Sequence, residues 1–112
     1  MQNDEKWMRL AIKEAKIAES EGEVPVGAIL IKNNILIAKA HNKCISNNDA
    51  TAHAEINLIR AAGIEIQNYR LNETSLYVSL EPCAMCFGAM IHARIKRVIY
   101  GAYDSKTGVC GS

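Results

Sequence analysis

Two short segments carry the side chains of this chain best suited to do chemistry: Thr51-Ala52-His53-Ala54-Glu55 and Pro82-Cys83-Ala84-Met85-Cys86. Between them they offer one imidazole, two thiols and one carboxylate. An imidazole with two thiolates suits Zn2+, which takes nitrogen and sulfur donors in a tetrahedral shell. His53, Cys83 and Cys86 would fill three corners and leave the fourth to water. That is the pattern of a working zinc, whereas a structural zinc usually has four protein ligands. Glu55 is then a carboxylate close to that water, able to take its proton and deliver it to a substrate. An aromatic ring bearing an exocyclic amine suits such a pair: water adds at the ring carbon, a ring nitrogen is protonated and ammonia leaves.

For these groups to meet, the fold must bring the two segments together. Apolar residues at Trp7, Leu10, Ala11, Ala15 and Ala18 recur at helical spacing and predict a helix over 4–20, capped by Asn3 or Asp4 and ended near Gly22. Apolar runs over 24–31 and 35–40 flank Lys32-Asn33-Asn34 and predict a β-hairpin. Both runs are apolar enough to be covered on two faces. A polar loop over 42–50 leads to a helix from about Ala52 to Ala62, with Thr51 as its N-cap and Gly63 as its stop. Residues 74–80 alternate like a strand, Pro82 opens a third helix reaching about Ala93, and 97–101 form a fourth strand. Residues 103–112 read as irregular. The order α-β-β-α-β-α-β predicts an α/β fold with helices layered on a sheet.

This order places both segments at the N-terminal mouths of helices. His53 and Glu55, two residues apart, would face opposite ways in mid-helix, but at the rim of a first turn both can reach a point near the axis. Cys83 and Cys86, three apart, share a face. Two positive helix ends aimed at one spot would lower the thiol pKa values and favour a deprotonated water.

Composition bounds the rest. At 112 residues, 49% hydrophobic and 22% charged, the chain reads as one domain able to bury its own core. A net charge of +1 gives no overall attraction to nucleic acid, so a basic surface would have to be local, as with Arg94, Lys96, Arg97 and Lys106. The start has no basic and apolar leader pattern, and no apolar run approaches the roughly 18 residues that span a membrane. With a C-x-x-C and lone Cys44 and Cys110, the cysteines read as reduced thiols of a cytoplasmic protein, available to metal.

The H-x-E…P-C-x-x-C arrangement is the signature of the zinc-dependent nucleobase deaminases. Around it, Glu23-Val24-Pro25-Val26-Gly27-Ala28, Asn42, Thr51 to Glu55, Asn68-Tyr69-Arg70-Leu71, Leu80 to Cys86 and Asp104-Ser105-Lys106-Thr107-Gly108 run in family order. In these segments the chain closely resembles the bacterial tRNA-specific adenosine deaminases of the cytidine deaminase-like superfamily. The resemblance implies a three-layer α/β/α sheet and conversion of adenosine to inosine at the wobble position of a tRNA anticodon. It also implies one Zn2+ per subunit on His53, Cys83 and Cys86, proton transfer by Glu55, and a homodimer. Asn42 would hydrogen-bond the flipped-out base, Val26 would pack on its face, and Asp104 and Lys106 would lie in the loop that meets the anticodon stem-loop. A wobble base is already largely unpaired, so extruding it costs little.

Other readings stand beside this one. The same catalytic signature serves deaminases of free guanine, cytosine or nucleosides. A closed structural zinc would take Cys44, Cys110 or His41 as a fourth ligand, making the chain a zinc-binding module or an inactive subunit. Asn42 could simply form an Asx-turn. Relatives in the family continue past Gly111-Ser112 with a last strand and C-terminal helices, so the domain over 1–112 is expected to be C-terminally short, with its fourth strand an exposed edge.

Overall fold

Seven elements follow one another in the predicted order: helix α1 (Asp4–Ser20), strands β1 (Gly27–Lys32) and β2 (Ile35–His41), helix α2 (Ala54–Ile66), strand β3 (Thr74–Val78), helix α3 (Ala84–Ala93) and strand β4 (Arg97–Tyr100). They come from a computed structural model that describes residues 3–102. The strands form one mixed sheet in the order β2-β1-β3-β4. β1 pairs antiparallel with both β2 and β3, and β3 pairs parallel with β4. A parallel pair needs a crossover, which α3 supplies.

The two-residue period of the strands sorts their side chains into two cores. Ala28 and Leu30 of β1, with Leu76 and Val78 of β3, pack under α2 and α3 against Leu58, Ala62 and Met90. Ile29, Ile31 and Tyr77 point the other way and pack under α1 against Trp7 and Ala11. The sheet is therefore the middle of three layers, with α1 on one face and α2 and α3 on the other. α1 sits very close: a Cβ on Gly27 would lie 2.3 Å from the Ala11 carbonyl oxygen and 2.4 Å from the Ala15 nitrogen. Only glycine allows that approach at the start of β1. The hairpin turns on Asn33 and Asn34, both left-handed with φ of 53° and 62°, which suits the strand twist.

Several predicted boundaries move, each for a local reason. β1 begins at Gly27 rather than Val24; Pro25 has no N–H to give to a ladder, and Val24 is exposed. β2 is an edge strand and is covered only in part, whereas β1 is buried along nearly its whole length. α2 begins after Thr51, because the Thr51 hydroxyl and N–H both donate to Asp49 Oδ1, at 2.7 and 2.8 Å. α2 also runs through Gly63 and ends at Gln67 in the left-handed region, with the Gly63 carbonyl accepting the closing bonds. At the far side β4 is the sheet's edge among the described residues. No helix among those residues is long and apolar enough to cross a membrane.

Candidate active site

His53 is the N-cap residue of α2 and Cys83 that of α3, both with extended backbone. A residue there usually turns its side chain back to accept a helix N–H, a bond worth about 1 kcal/mol. Neither does so. Their carbonyls do start the helices, accepting from the Asn57 and Phe87 N–H groups at 3.0 and 2.9 Å. The side chains face each other instead: Cys83 Sγ lies 3.6 Å and Cys86 Sγ 3.4 Å from His53 Nδ1. All three donor atoms fall within 4.8 Å of one another, the one such cluster among the described residues. Zinc bonds of about 2.0–2.1 Å to nitrogen and 2.3 Å to sulfur, at tetrahedral angles, place N and S about 3.6 Å apart. The donors found here could therefore hold that ion.

Glu55 lies in the first turn of α2 and is 4% exposed. Burial pushes its carboxyl above the usual glutamate range, against the pull of its own backbone N–H and of the Cys86 thiol. The Cys86 thiol is pushed up as well, first by burial, then by the Glu55 charge and by Cys83. The helix ends were expected to lower the thiol pKa values; at Cys86, desolvation and the neighbouring carboxylate outweigh them. A buried thiol beside a carboxylate and a second thiol ionises when a cation compensates it. A bound dication meets that demand.

In front of these groups lies a cavity of about 210 Å³, whose wall includes Val24, Val26, Asn42, His53, Glu55 and Glu81. Sites for drug-sized ligands run to roughly 300–1,000 Å³, so this space suits a single heterocycle. Asn42 is buried, and its Oδ1 accepts the Cys44 N–H at 2.9 Å. The Asx-turn and the place at the cavity are therefore both real and do not compete.

Three polar residues whose roles residue type alone does not reveal shape this region. Glu81, 2% exposed, borders the cavity just ahead of Pro82. Asn57 donates through Nδ2 to the carbonyls of His41 at 2.9 Å and Ala52 at 3.1 Å, joining the two ends of the 42–52 loop. Glu23 accepts two backbone N–H groups of that loop. The sequence signal for Asn57 was a lone amide between the apolar Ile56 and Leu58; for Glu81 it was an acid directly before Pro82, and for Glu23 an acid two residues before Pro25.

The remaining candidates divide. Both ring nitrogens of His41 are engaged, Nδ1 with Glu14 Oε1 at 3.2 Å and Nε2 with Glu21 Oε1 at 2.9 Å. Cys44 Sγ lies 3.7 Å from the Ala50 carbonyl. Neither joins the metal-ligand cluster, so neither is the fourth ligand of a closed zinc. Cys110, Asp104 and Lys106 lie outside the described residues. Two of the basic residues near the end of α3 are paired within the chain: Lys96 with Glu73 at 3.1 Å, and Arg97 with Asp4 at 3.1 Å.

Comparison with known proteins agrees with this geometry. A tRNA-specific adenosine deaminase of Buchnera aphidicola from Schizaphis graminum is 54% identical over 99 residues, 88% of this chain. The chain spans 66% of that relative's length. A structure solved in work on A-to-I editing by tRNA:A34 deaminases superposes with a TM-score of 0.93 at 46% identity, over 96% of this chain and 78% of that one. The guanine deaminase of Bacillus subtilis superposes at 0.87 with 38% identity, over 92% of this chain and 66% of that one. The family described as the cytidine and deoxycytidylate deaminase zinc-binding region matches residues 1–102. With its fold and its His-Cys-Cys cluster alike, the chain belongs to that deaminase family.

Proposed function

We propose that this chain catalyses hydrolytic deamination of adenosine to inosine at the wobble position of a tRNA anticodon. The observation that carries the reading is the buried Glu55 carboxylate beside the His53, Cys83 and Cys86 donors, at the end of a cavity sized for one heterocycle. The tRNA-specific relatives, at up to 54% identity, favour adenosine in tRNA over other amines. In this reading His53, Cys83 and Cys86 hold one zinc ion per subunit.

Bound zinc supplies a water whose pKa is lowered toward about 7. Glu55 accepts a proton from the attacking water as its oxygen bonds to the purine carbon that carries the amine. The same carboxyl protonates the adjacent ring nitrogen. A second transfer through Glu55 moves the other water proton to the amine; the C–N bond then breaks, and ammonia and inosine result. Burial raises the Glu55 carboxyl above the usual glutamate range, the direction that suits a group that must both take and give a proton. Val26 would pack against the base. The Oδ1 of Asn42 is already bonded to Cys44, so its Nδ2 is the donor it would offer to an acceptor on the base edge.

The family resemblance supports the wider reading: one deaminase domain over 1–112, Asp104 and Lys106 in the loop that meets the anticodon stem-loop, and a homodimer. Its tRNA substrate and its free thiols at Cys44, Cys83 and Cys86 favour the cytoplasm. A rival reading, deamination of a free base, is favoured by the 38% identity to a guanine deaminase. Incubating the zinc-loaded chain with an anticodon stem-loop bearing adenosine at the wobble position should produce inosine. Ammonia released from free guanine or cytosine with no inosine in the stem-loop would favour the rival. Stem-loop binding with zinc present and no turnover of any of these would leave a zinc-binding RNA module.

A further inference from the structure

Residues 43–49 fold into a compact turn beside the cavity. The N–H groups of Asn47, Asn48 and Asp49 bond back to the carbonyls of Lys43, Ile45 and Cys44, at 2.9, 3.2 and 3.0 Å. As at the start of any helical turn, the leading N–H groups find no carbonyl within the turn itself. Side chains take three of them. Asn42 Oδ1 accepts from Cys44, while Glu23 Oε1 and Oε2 accept from Ile45 and Ser46 at 3.0 and 2.7 Å.

Glu23 is 5% exposed, and a buried carboxylate is costly unless hydrogen-bonded. Here both oxygens are committed to successive amides of a segment 22 and 23 residues away in the chain. Burial pushes its carboxyl up, but the Ile45 and Ser46 N–H groups prevail and hold it below the usual glutamate range. Glu23 stands next to Val24 and three residues before Val26, which form one wall of the cavity; Asn42 belongs to another. The carboxylate thus ties the two walls together.

We infer that Glu23 is a positioning residue: by bonding the Ile45 and Ser46 amides it holds the Asn42 turn at a set distance from the Val24–Val26 wall, and so sets where a base edge lies relative to Glu55. The inference rests on the proposed base-binding reading and adds to it a residue that touches no substrate. It differs from a merely stabilising role in one respect: its effect on substrate passes through Asn42.

The test uses the zinc-loaded 112-residue chain and Glu23→Gln, which keeps size and one acceptor oxygen but turns an NH2 group toward the second amide. Hydrogen exchange at the Ile45 and Ser46 amides should quicken by about tenfold or more, with zinc content and the exchange of β1 and α2 amides unchanged. On a wobble-adenosine stem-loop, KM should rise by about tenfold with kcat little changed. In an Asn42→Ala background the same change should have almost no further effect, since the two side chains act as one unit. Unchanged exchange at both amides would overturn the inference, as would a full Glu23→Gln penalty in the Asn42→Ala background. If the wild-type chain forms no inosine, the functional reading falls, while amide exchange still decides whether Glu23 holds the turn.

Discussion

Asp4 and Glu55 are both carboxylates in the first turn of a helix, and their surroundings drive them in opposite directions. The Tyr77 hydroxyl and the Arg97 guanidinium both bond Asp4. Its carboxyl is held below the ordinary aspartate range, chiefly by the Tyr77 bond, with burial opposing and Arg97 assisting. Glu55 faces a thiol rather than a cation, and burial raises it. A helix N-terminus favours an anion in either place, so helix position does not separate the two. Their neighbours do. Asp4 belongs to a closed set that ties α1 to β3 and β4, while Glu55 stands at a cavity beside the His53, Cys83 and Cys86 donors. Strong perturbation by burial at a cleft marks chemistry; perturbation by matched partners marks architecture.

Removing metal should affect the Glu55 side most. Chelation should abolish turnover and lower stability by about 3–4 kcal/mol relative to protein at metal levels 100- to 1,000-fold above Kd, read as a drop in Tm. An unchanged Tm would mean that His53, Cys83 and Cys86 do not hold the ion. Next, Glu55→Gln should reduce kcat/KM by about 10²–10⁴-fold or more. Zinc content should be retained, because Glu55 is not one of the three donors that would hold the ion. Residual activity near wild type would remove Glu55 from the mechanism.

Asp4→Asn should do the reverse. Turnover should stay as in the wild type, and stability at neutral pH should fall by no more than about 1 kcal/mol, since Arg97 and Asp4 are themselves more than a third exposed (36% and 38%). Because the folded pKa of Asp4 is lowered, its contribution is complete above the ordinary value of 3.8 and is lost as pH falls through the folded value. Urea titrations of wild type and variant should therefore converge in acid. The smallest effect concerns Tyr77, whose hydroxyl is pushed up to about 12, first by burial and then by Asp4. Its contribution to stability is present below the ordinary value of 10.0 and is lost as pH climbs toward 12. An absorbance titration should show one tyrosine ionising near that value and moving down in Asp4→Asn. A step that stays in place would break the pairing on which the comparison depends.

The order of elements was legible because the spacing of apolar residues follows from helix and strand geometry, as with Trp7, Ala11 and Ala18 or Leu76 and Val78. Local competition hid the ends. Thr51 has the right type for an N-cap, yet Asp49 takes its hydroxyl, and the cap passes to His53. Gly63 has the right type for a stop, yet its carbonyl accepts the closing bonds of a helix that runs three residues farther. Within the candidate site, Glu55 and the three metal donors were legible because zinc and proton transfer demand particular residue types at short spacing. Glu23 and Asn57 were not. They act on backbone N–H and C=O groups contributed by other segments, and any residue type supplies those groups.

By itself, the sequence determined the side-chain chemistry and the periodicities that sort residues between two cores. The nearly continuous apolar run that contains β1 pointed to cover on both faces of the sheet. Tertiary structure alone decided that the caps of α2 and α3 meet at 3.4 and 3.6 Å. It also decided that the Cys86 thiol is raised rather than lowered and that Arg97 is bound to Asp4. The reason is physical. Residue type sets what a group can bond or ionise, but desolvation and partners act over a few ångströms of space, between segments that the chain holds far apart until the sheet brings them together.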